Sequence, residues 1–503
     1  MQKRNLLIII LFLFTGTIGW SAERIRQNFD FDWQFRLGEQ GIYKPVQLPH
    51  DWSIELDFNE EVGPESGYLP GGIGYYKKDF NVPASYKGKR VSIVFDGIYH
   101  KATIYLNGQE VDYHRYGYTS FETDLTPYLK YGGKNTLSVK VDHSEKSRWY
   151  TGSGIYRHVW MQVTNPIHVK MWGTYITTPR VSAESAIVSC VTTVANTSAL
   201  TGEIEIMQRI VDAQGNLLKI NGKQYAARTE VVMPENGTKD IAQSFTLSNP
   251  QLWNLEKPYL YRLETILKQK GKVIDRYTTR FGVRTIGFDK DKGFFLNGKN
   301  IKMKGACLHQ DAGCLGVAVP NRSYERRLTI LKEFGANAIR CSHNPPSPEF
   351  LNYCDSIGFL VVDEAFDKWK SGYYEQFFDE CWQQDIRDMI VRDRNHPSIV
   401  LWSIGNELAE ATRKDNVGVE RATLLRDFVH KLEPTRPTML ALAPAYQDKF
   451  ASVTDVVGYN YSELSYIEDK KKHPERIGLI SERYPYYSCL LYTSPSPRDK
   501  RQS

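Results

Sequence analysis

The chain has 503 residues, of which 41% are hydrophobic and 24% charged, and its formal net charge is +6. This length allows about three domains with a sizeable buried core. The small positive excess forms no basic block interleaved with aromatic residues, so nucleic-acid binding is not indicated.

The N-terminus has the features of a secretory signal peptide. Lys3 and Arg4 precede an apolar run over residues 6–14, and small residues then suit cleavage after Ser21 or Ala22. The run is too short for a transmembrane helix. We therefore expect removal of residues 1–22, a periplasmic or secreted mature protein, and no membrane association after cleavage. The alternative is an uncleaved N-terminal anchor.

Two all-β segments follow. Residues 23–166 contain alternating strands and an Asn107-Gly108 pair typical of a two-residue hairpin turn, which predicts a jelly-roll-like β-sandwich. Residues 167–284 continue with strand-like runs separated by turn residues. Their length is typical of one immunoglobulin-like sandwich.

Residues 285–488 alternate between strands and helices, the pattern of a (β/α)8 TIM barrel. The strands are predicted at residues 301–308, 336–343, 359–365, 399–407, 439–443, 455–461 and 478–482. That gives seven of the eight strands a closed barrel requires.

Two helix starts can be predicted within this segment. Ser323 is expected to cap a helix with Leu328, Leu331 and Phe334 on one face. Ser347 is expected to cap the next helix, with Pro348 at its first position.

The last residues break the globular pattern with a run rich in proline and serine. Residues 489–499 can be encoded by a transposase sequencing adapter, so we expect residues 489–503 to be translated adapter and the barrel to be truncated after its seventh strand. The alternative is a genuine disordered tail.

Polar residues gather where the predicted barrel strands end, the position at which active sites of this fold are built. They are His309, Arg340, His343, Asp363, Glu364, Asn406, Glu407, Tyr461 and Glu482. Glu407 and Glu482 end the fourth and seventh strands. Two carboxyl groups that face each other across a sugar are the minimal equipment of a glycoside hydrolase.

The motifs around these residues resemble glycoside hydrolase family 2. Residues 394–407 read Arg-Asn-His-Pro-Ser-Ile-Val-Leu-Trp-Ser-Ile-Gly-Asn-Glu and resemble the family's acid/base motif. Residues 337–346, 304–311 and 359–366 resemble further barrel motifs. Residues 149–157 look like part of the family's sugar-binding domain. Among its members, secreted β-galactosidases have the most similar pattern.

The resemblance implies a role for each candidate residue. Glu407 would be the general acid/base and Glu482 the nucleophile of a retaining mechanism. Asn406 would bind the sugar 2-hydroxyl, and Arg340 could keep Glu482 ionised. His309, His343 and Tyr461 would line the sugar pocket; Tyr461 would touch the nucleophile.

No cofactor and no metal are expected. Some galactosidases of the family bind magnesium through a Glu and a His after the third strand, but Lys368 and Lys370 stand there instead. The alternative is a zinc site. The possible ligands are two Cys-x-His pairs, Cys307 with His309 and Cys341 with His343, but their spacing matches no standard zinc motif.

The predicted function is that of a retaining exo-β-galactosidase acting on the ends of oligosaccharides or polysaccharides. β-Glucuronidase and β-mannosidase are the enzyme alternatives within the family. A catalytically inactive carbohydrate-binding protein is the alternative from another class, although the presence of both Glu407 and Glu482 argues against it. The expected partner is a carbohydrate substrate, and a homo-oligomer is possible.

Overall fold

The computed structural model of the protein describes residues 23–220 and 223–483. The predicted signal peptide at residues 1–22 and the predicted adapter-derived tail at residues 489–503 lie outside the described residues. Within those residues, no helix is both long and apolar enough to cross a lipid bilayer.

The first part of the described chain is a sandwich of two antiparallel sheets. Its strands β1 to β10 are Ile25–Asn28, Trp33–Leu37, Lys44–Val46, Gly72–Val82, Arg90–Phe95, Ala102–Leu106, Gln109–His114, Phe121–Asp124, Gly133–His143 and Val159–Thr164. The sheet orders are β1-β10-β5-β8 and β3-β2-β4-β9-β6-β7. Asn107 and Gly108 join β6 to β7 with positive φ at both positions, which confirms the predicted hairpin.

The second part is also a β-sandwich, as predicted. Its strands β11 to β19 are Ile167–Val181, Ser185–Asn196, Gly202–Val211, Lys219–Ile220, Lys223–Gln224, Ala227–Met233, Gly237–Ser248, Tyr261–Gln269 and Lys272–Phe281. Sheet β11-β12-β17 and sheet β16-β13-β18-β19 enclose a core that includes Val188, Ile210 and Leu263.

A parallel sheet of seven strands forms the third part, after a small antiparallel sheet of β20 to β22 at Ile286–Asp289, Gly293–Leu296 and Lys299–Asn300. The parallel strands β23 to β29 are Gly305–Leu308, Ala338–Cys341, Leu360–Glu364, Ile399–Asn406, Thr438–Leu442, Val456–Asn460 and Ile477–Glu482. Each strand pairs with the next one along the chain. The sheet curves so far that Cys307 Sγ of β23 lies 3.1 Å from the Ser481 carbonyl oxygen of β29.

The helices α1 to α6 are Asn321–Glu333, Pro348–Ile357, Phe378–Asp393, Val417–Leu432, Asp448–Ala451 and Glu463–Lys472. The predicted start of α2 is confirmed, because Ser347 Oγ accepts a hydrogen bond from the Phe350 N–H. The predicted start of α1 is wrong. Pro320 is the N-cap, so Ser323 lies within the first turn and caps nothing. Leu328 is buried on the helix, whereas Phe334 follows the last helical residue and is 77% exposed.

The first barrel strand is shorter than predicted. The Ile301 N–H donates to the Phe294 carbonyl oxygen, so residue 301 pairs with the small antiparallel sheet, and β23 begins only at Gly305. The carboxyl ends of all seven strands lie within two residues of their predicted positions. These ends place the candidate residues on one side of the sheet.

The first sandwich is joined to the barrel by a buried arginine. Arg157, in the loop between β9 and β10, donates to the Tyr118 carbonyl oxygen and to the Pro345 carbonyl oxygen, both at 2.8 Å. Pro345 belongs to the loop after β24. The same sandwich loop therefore lies next to the carboxyl ends of the barrel strands.

Candidate active site

Arg340 is the centre of a buried network at the carboxyl ends of the barrel strands. Its guanidinium donates to Glu482 Oε1 at 2.6 Å, to Glu364 Oε2 at 2.8 Å and to Asn406 Oδ1 at 2.9 Å. A guanidinium carries five N–H donors in a fixed plane, so it can hold three acceptors in one arrangement. Four different strands thus contribute a side chain to one cluster.

Glu364 balances the positive charge of Arg340 and is fully buried. His343 Nδ1 and Ser403 Oγ both lie 2.6 Å from its carboxylate oxygens. Burial acts to raise the pKa of Glu364, but the charge of Arg340 and the contact with His343 outweigh burial and lower this pKa to about 2. Glu364 is therefore a permanent anion at neutral pH. The strand-end pattern indicates its position but not this role.

Glu482 ends β29 and is held on both carboxylate oxygens. Arg340 Nη1 donates to Oε1, and the Tyr461 hydroxyl donates to Oε2. Burial acts to raise the pKa of Glu482, but the charge of Arg340 and the bond from Tyr461 lower it. The side chain is 13% exposed. Glu482 is thus an ionised, oriented carboxylate that a ligand can reach.

Glu407 directly follows β26 and has a left-handed backbone conformation, with φ of 46°. Its N–H donates to the Ala441 carbonyl oxygen at 2.8 Å. Asn460 Nδ2 lies 3.3 Å from Glu407 Oε1 and 2.9 Å from Asn406 Oδ1. The rare conformation turns Glu407 out of the strand direction at the point where the chain leaves the sheet.

Both candidate catalytic carboxylates, Glu407 and Glu482, influence the hydroxyl of Tyr461. The hydrogen bond to Glu482 raises the pKa of the Tyr461 hydroxyl, and burial and the charge of Glu407 raise it further. Glu407 contacts Asn460 and Glu482 contacts Tyr461, so the two carboxylates are held by adjacent residues at the carboxyl end of β28.

Aromatic rings lie beside the cluster around Arg340. The Trp149 ring lies 5.1 Å from His309 and 5.7 Å from His343, centroid to centroid, and the two histidines are 5.6 Å apart. Burial, and then the neighbouring His343, lowers the pKa of His309, so its ring is neutral at pH 7. Trp149 comes from the first sandwich. A domain that is distant in sequence therefore completes the site.

Asp367 and Lys368 add charges that the strand-end pattern does not reveal, because both lie in the loop after β25. Asp367 accepts hydrogen bonds from Asn406 Nδ2 at 3.0 Å and from Arg148 Nη1 at 2.7 Å. Lys368 Nζ lies 3.0 Å from Asp367 and 2.8 Å from the Asn406 carbonyl oxygen. Lys368, one of the two lysines that argued against a magnesium site, therefore places an ammonium group close to Glu407.

The four residues considered as zinc ligands lie in different surroundings. Cys341 belongs to the apolar core with Cys354, whereas Cys307 lies beside Arg340. In the described part of the chain, these two cysteines and His309 and His343 do not bring three ligand atoms within 4.8 Å of one another. Their geometry gives no support to the zinc alternative.

The pKa of Glu364 predicts a pH-dependent loss of stability in a Glu364→Gln variant of the complete protein. The folded-state pKa lies below the ordinary value of 4.5, so the stabilisation is fully present above about pH 4.5 and is lost as the pH falls toward 2. At pH 7 we expect the variant to lose about 3–5 kcal/mol of unfolding free energy, because Arg340 loses a buried partner. Denaturant titrations at pH 7, 4.5 and 3 measure this difference.

The matched control for this prediction is Glu380→Gln, which removes a carboxylate from an exposed pair with Arg115. Exposed pairs contribute little to stability, so this control should unfold like the wild type at each pH. A Glu364→Gln deficit that stays the same from pH 7 to pH 3 would contradict the assigned charge state.

Three family models match successive parts of the chain. The model of the glycosyl hydrolases family 2 sugar binding domain matches residues 31–166, the glycosyl hydrolases family 2 model matches 167–284, and the model of the glycosyl hydrolases family 2 TIM barrel domain matches 289–484. The match to a sugar-binding domain implies a carbohydrate substrate.

Similar proteins carry two different activity names. A β-galactosidase from Bacteroides ovatus is 40% identical over 95% of this chain, which spans 61% of that relative's length. A β-glucuronidase from Bacteroides fragilis is 30% identical over 93% of this chain and 70% of its own length. The crystal structure of a glycosyl hydrolase family 2 member from Bacteroides cellulosilyticus is similar with a TM-score of 0.86 and 39% identity, over 91% of this chain and 61% of that one.

Proposed function

The chain belongs to glycoside hydrolase family 2, and we propose that the complete protein is a retaining exo-β-glycosidase. The observation that carries the proposal is the pair of carboxylates at the ends of β26 and β29. Glu482 is fixed and ionised between Arg340 and Tyr461, while Glu407 contacts Asn460 and has no cation bonded to its carboxylate in the described part of the chain. This asymmetry suits one nucleophile and one proton donor.

In the proposed first step, Glu482 attacks the anomeric carbon of the terminal sugar. The bond from that carbon to the leaving oxygen breaks, and Glu407 gives its proton to this oxygen. A covalent glycosyl-enzyme ester forms on Glu482. Such a mechanism requires the two carboxyl groups to be about 5–5.5 Å apart.

In the proposed second step, Glu407 removes a proton from a water molecule as it attacks the anomeric carbon. The ester bond breaks, and Glu482 leaves as a carboxylate that Arg340 and Tyr461 stabilise. Two displacements at one carbon restore the starting configuration. We assign the contact with the 2-hydroxyl of the sugar to Asn406, which accepts hydrogen bonds from Arg340 and Asn460.

For the terminal sugar we propose β-galactose, released from oligosaccharides or polysaccharides. The proposal is supported by the resemblance of residues 309–311 and 344–346 to the galactosidase branch and by the name of the Bacteroides ovatus relative. β-Glucuronide is the second candidate. It is favoured by the Bacteroides fragilis relative and by the cations Arg148 and Lys368 near the site.

A comparison of three substrates tests the choice of sugar. We expect kcat/KM of the complete protein to be at least tenfold higher for 4-nitrophenyl β-galactoside than for the β-glucuronide or the β-mannoside. The expectation rests on the resemblance of residues 309–311 and 344–346 to the galactosidase branch. A preference for the glucuronide would overturn the choice of galactose but not the two-glutamate mechanism.

A further inference from the structure

A cavity of about 130 Å³ lies between the first sandwich and the barrel, beside the candidate active site. The loop between β9 and β10 supplies one side of it, with Trp149, and the loop after β25 supplies the other, with Phe366. His343 also lines it. A cavity of roughly 150 Å³ can hold one benzene ring, so this one accepts a single small group rather than a second sugar.

The charges that line this cavity are mainly positive. Lys146, Arg148 and Lys368 contribute three cations. Among its lining residues in the described chain, Asp367 is the one carboxylate. A concave site with an excess of one sign of charge concentrates ligands of the opposite sign.

Asp367 does not use up the hydrogen-bonding capacity of these cations. It shares its two oxygens among Arg148, Lys368 and Asn406. Within the described residues, Arg148 bonds to Asp367 through Nη1 only, so its other N–H groups can serve a second acceptor. Arg148 is 49% exposed, so a ligand can reach it.

The cavity is directly connected to the reacting groups. Lys368 Nζ bonds to the carbonyl oxygen of Asn406, the residue before Glu407. His343 lies against Glu364 and has its Nε2 atom 3.6 Å from Glu482 Oε1. A group bound in the cavity would therefore belong to the same ligand as the sugar between the two glutamates.

We propose that this cavity binds an anionic substituent of the glycoside, a carboxylate or a sulfate ester, on the terminal sugar or on the sugar next to it. This inference rests on the proposed glycosidase function and narrows its substrate class. Arg148 and Lys368 are the residues that receive the anion, because guanidinium and ammonium groups form strong charge-assisted hydrogen bonds with carboxylate and sulfate oxygens.

The test measures a specificity ratio in the complete protein, namely kcat/KM for an anionic substrate divided by kcat/KM for its neutral counterpart. Two substrates carry the anion on the terminal sugar: 4-nitrophenyl β-glucuronide and 4-nitrophenyl β-galactoside 6-sulfate. Each is compared with the neutral 4-nitrophenyl β-galactoside. Lactobionate carries the anion on the leaving group and is compared with the neutral lactitol. The variants are Arg148→Gln and Lys368→Met.

Each variant has a matched control of the same residue type. The control for Arg148→Gln is Arg115→Gln, which also breaks an ion pair between the sandwich and the barrel, here with Glu380. The control for Lys368→Met is Lys370→Met, which also removes a lysine from the loop after β25, here one paired with Asp379. Neither Arg115 nor Lys370 lines the cavity. We expect the ratio for at least one anionic substrate to fall tenfold or more in both cavity variants and to stay within twofold in both controls.

The substrate whose ratio falls identifies the source of the anion. Ratios that stay within twofold for all three anionic substrates would overturn the proposal and leave Arg148 and Lys368 as partners of Asp367 only. If the wild type hydrolyses none of the glycosides, the proposed function fails separately. Calorimetric titration with galactose 6-sulfate, glucuronate and galactose then tests whether the cavity binds an anion. The affinity for the anionic sugars must fall in the two cavity variants and stay unchanged in the two controls.

Discussion

Glu482→Gln is expected to lower kcat of the complete protein by a factor on the order of 10⁴ or more on every glycoside it cleaves. An amide cannot form the glycosyl ester, and the charge that Arg340 and Tyr461 stabilise is absent from it. Substrate binding should be largely retained, because the size of the side chain is unchanged. Steady-state kinetics and calorimetric binding to the variant measure the two quantities.

Covalent labelling provides the second readout for this assignment. A fluorinated galactosyl inhibitor slows the second step, so the labelled peptide should contain Glu482. Glu380→Gln serves as the control for folding and should retain full labelling, since Glu380 is an exposed partner of Arg115. A label on Glu407 instead of Glu482 would reverse the two assigned roles.

Glu407→Gln is expected to have an effect that depends on the leaving group. General acid catalysis contributes about 10²–10⁴-fold when the leaving oxygen needs a proton. We therefore expect kcat/KM on an oligosaccharide to fall by about that factor. For a 2,4-dinitrophenyl glycoside, whose leaving group departs without protonation, it should change far less. The comparison of both substrates on one protein preparation measures the difference.

The same variant should also lose the basic limb of its pH–rate profile. The proton donor is then gone, so the rate on the activated substrate no longer depends on a protonated side chain at this position. An equal loss of activity on both substrates would show that Glu407 acts by positioning the sugar and not by proton transfer.

Much of the fold can be predicted from the sequence because the patterns that indicate strands and helices are local. Period-two alternation predicts strands such as β9, and short apolar runs that end in a polar residue predict β26 and β29 with their carboxyl ends nearly in place. The start of α1 was missed because Pro320 and Ser323 both suit a helix start, and only the packed structure selects between them.

The candidate site was accessible only in part, because much of it depends on contacts between distant segments. The strand ends identify Glu407, Glu482 and Arg340 as neighbours. Nothing in the order of residues brings Trp149 to His309, since one belongs to a sandwich loop and the other to a barrel strand end. A repeated pair in the sequence does mark the site: Asn460 precedes Tyr461 as Asn406 precedes Glu407, and the structure gives both second residues a positive φ.

The buried bonds of Arg157 have a consequence for how such an enzyme can change over evolutionary time. Arg157 and Pro345 lie 188 residues apart in the chain, yet their contact fixes the sandwich loop against the barrel. The chemistry at the strand ends and the outer wall of the pocket are thus encoded by separate stretches of the gene. Mutation or recombination in the upstream stretch can reshape which glycosides fit while the downstream stretch, with both glutamates, is inherited intact.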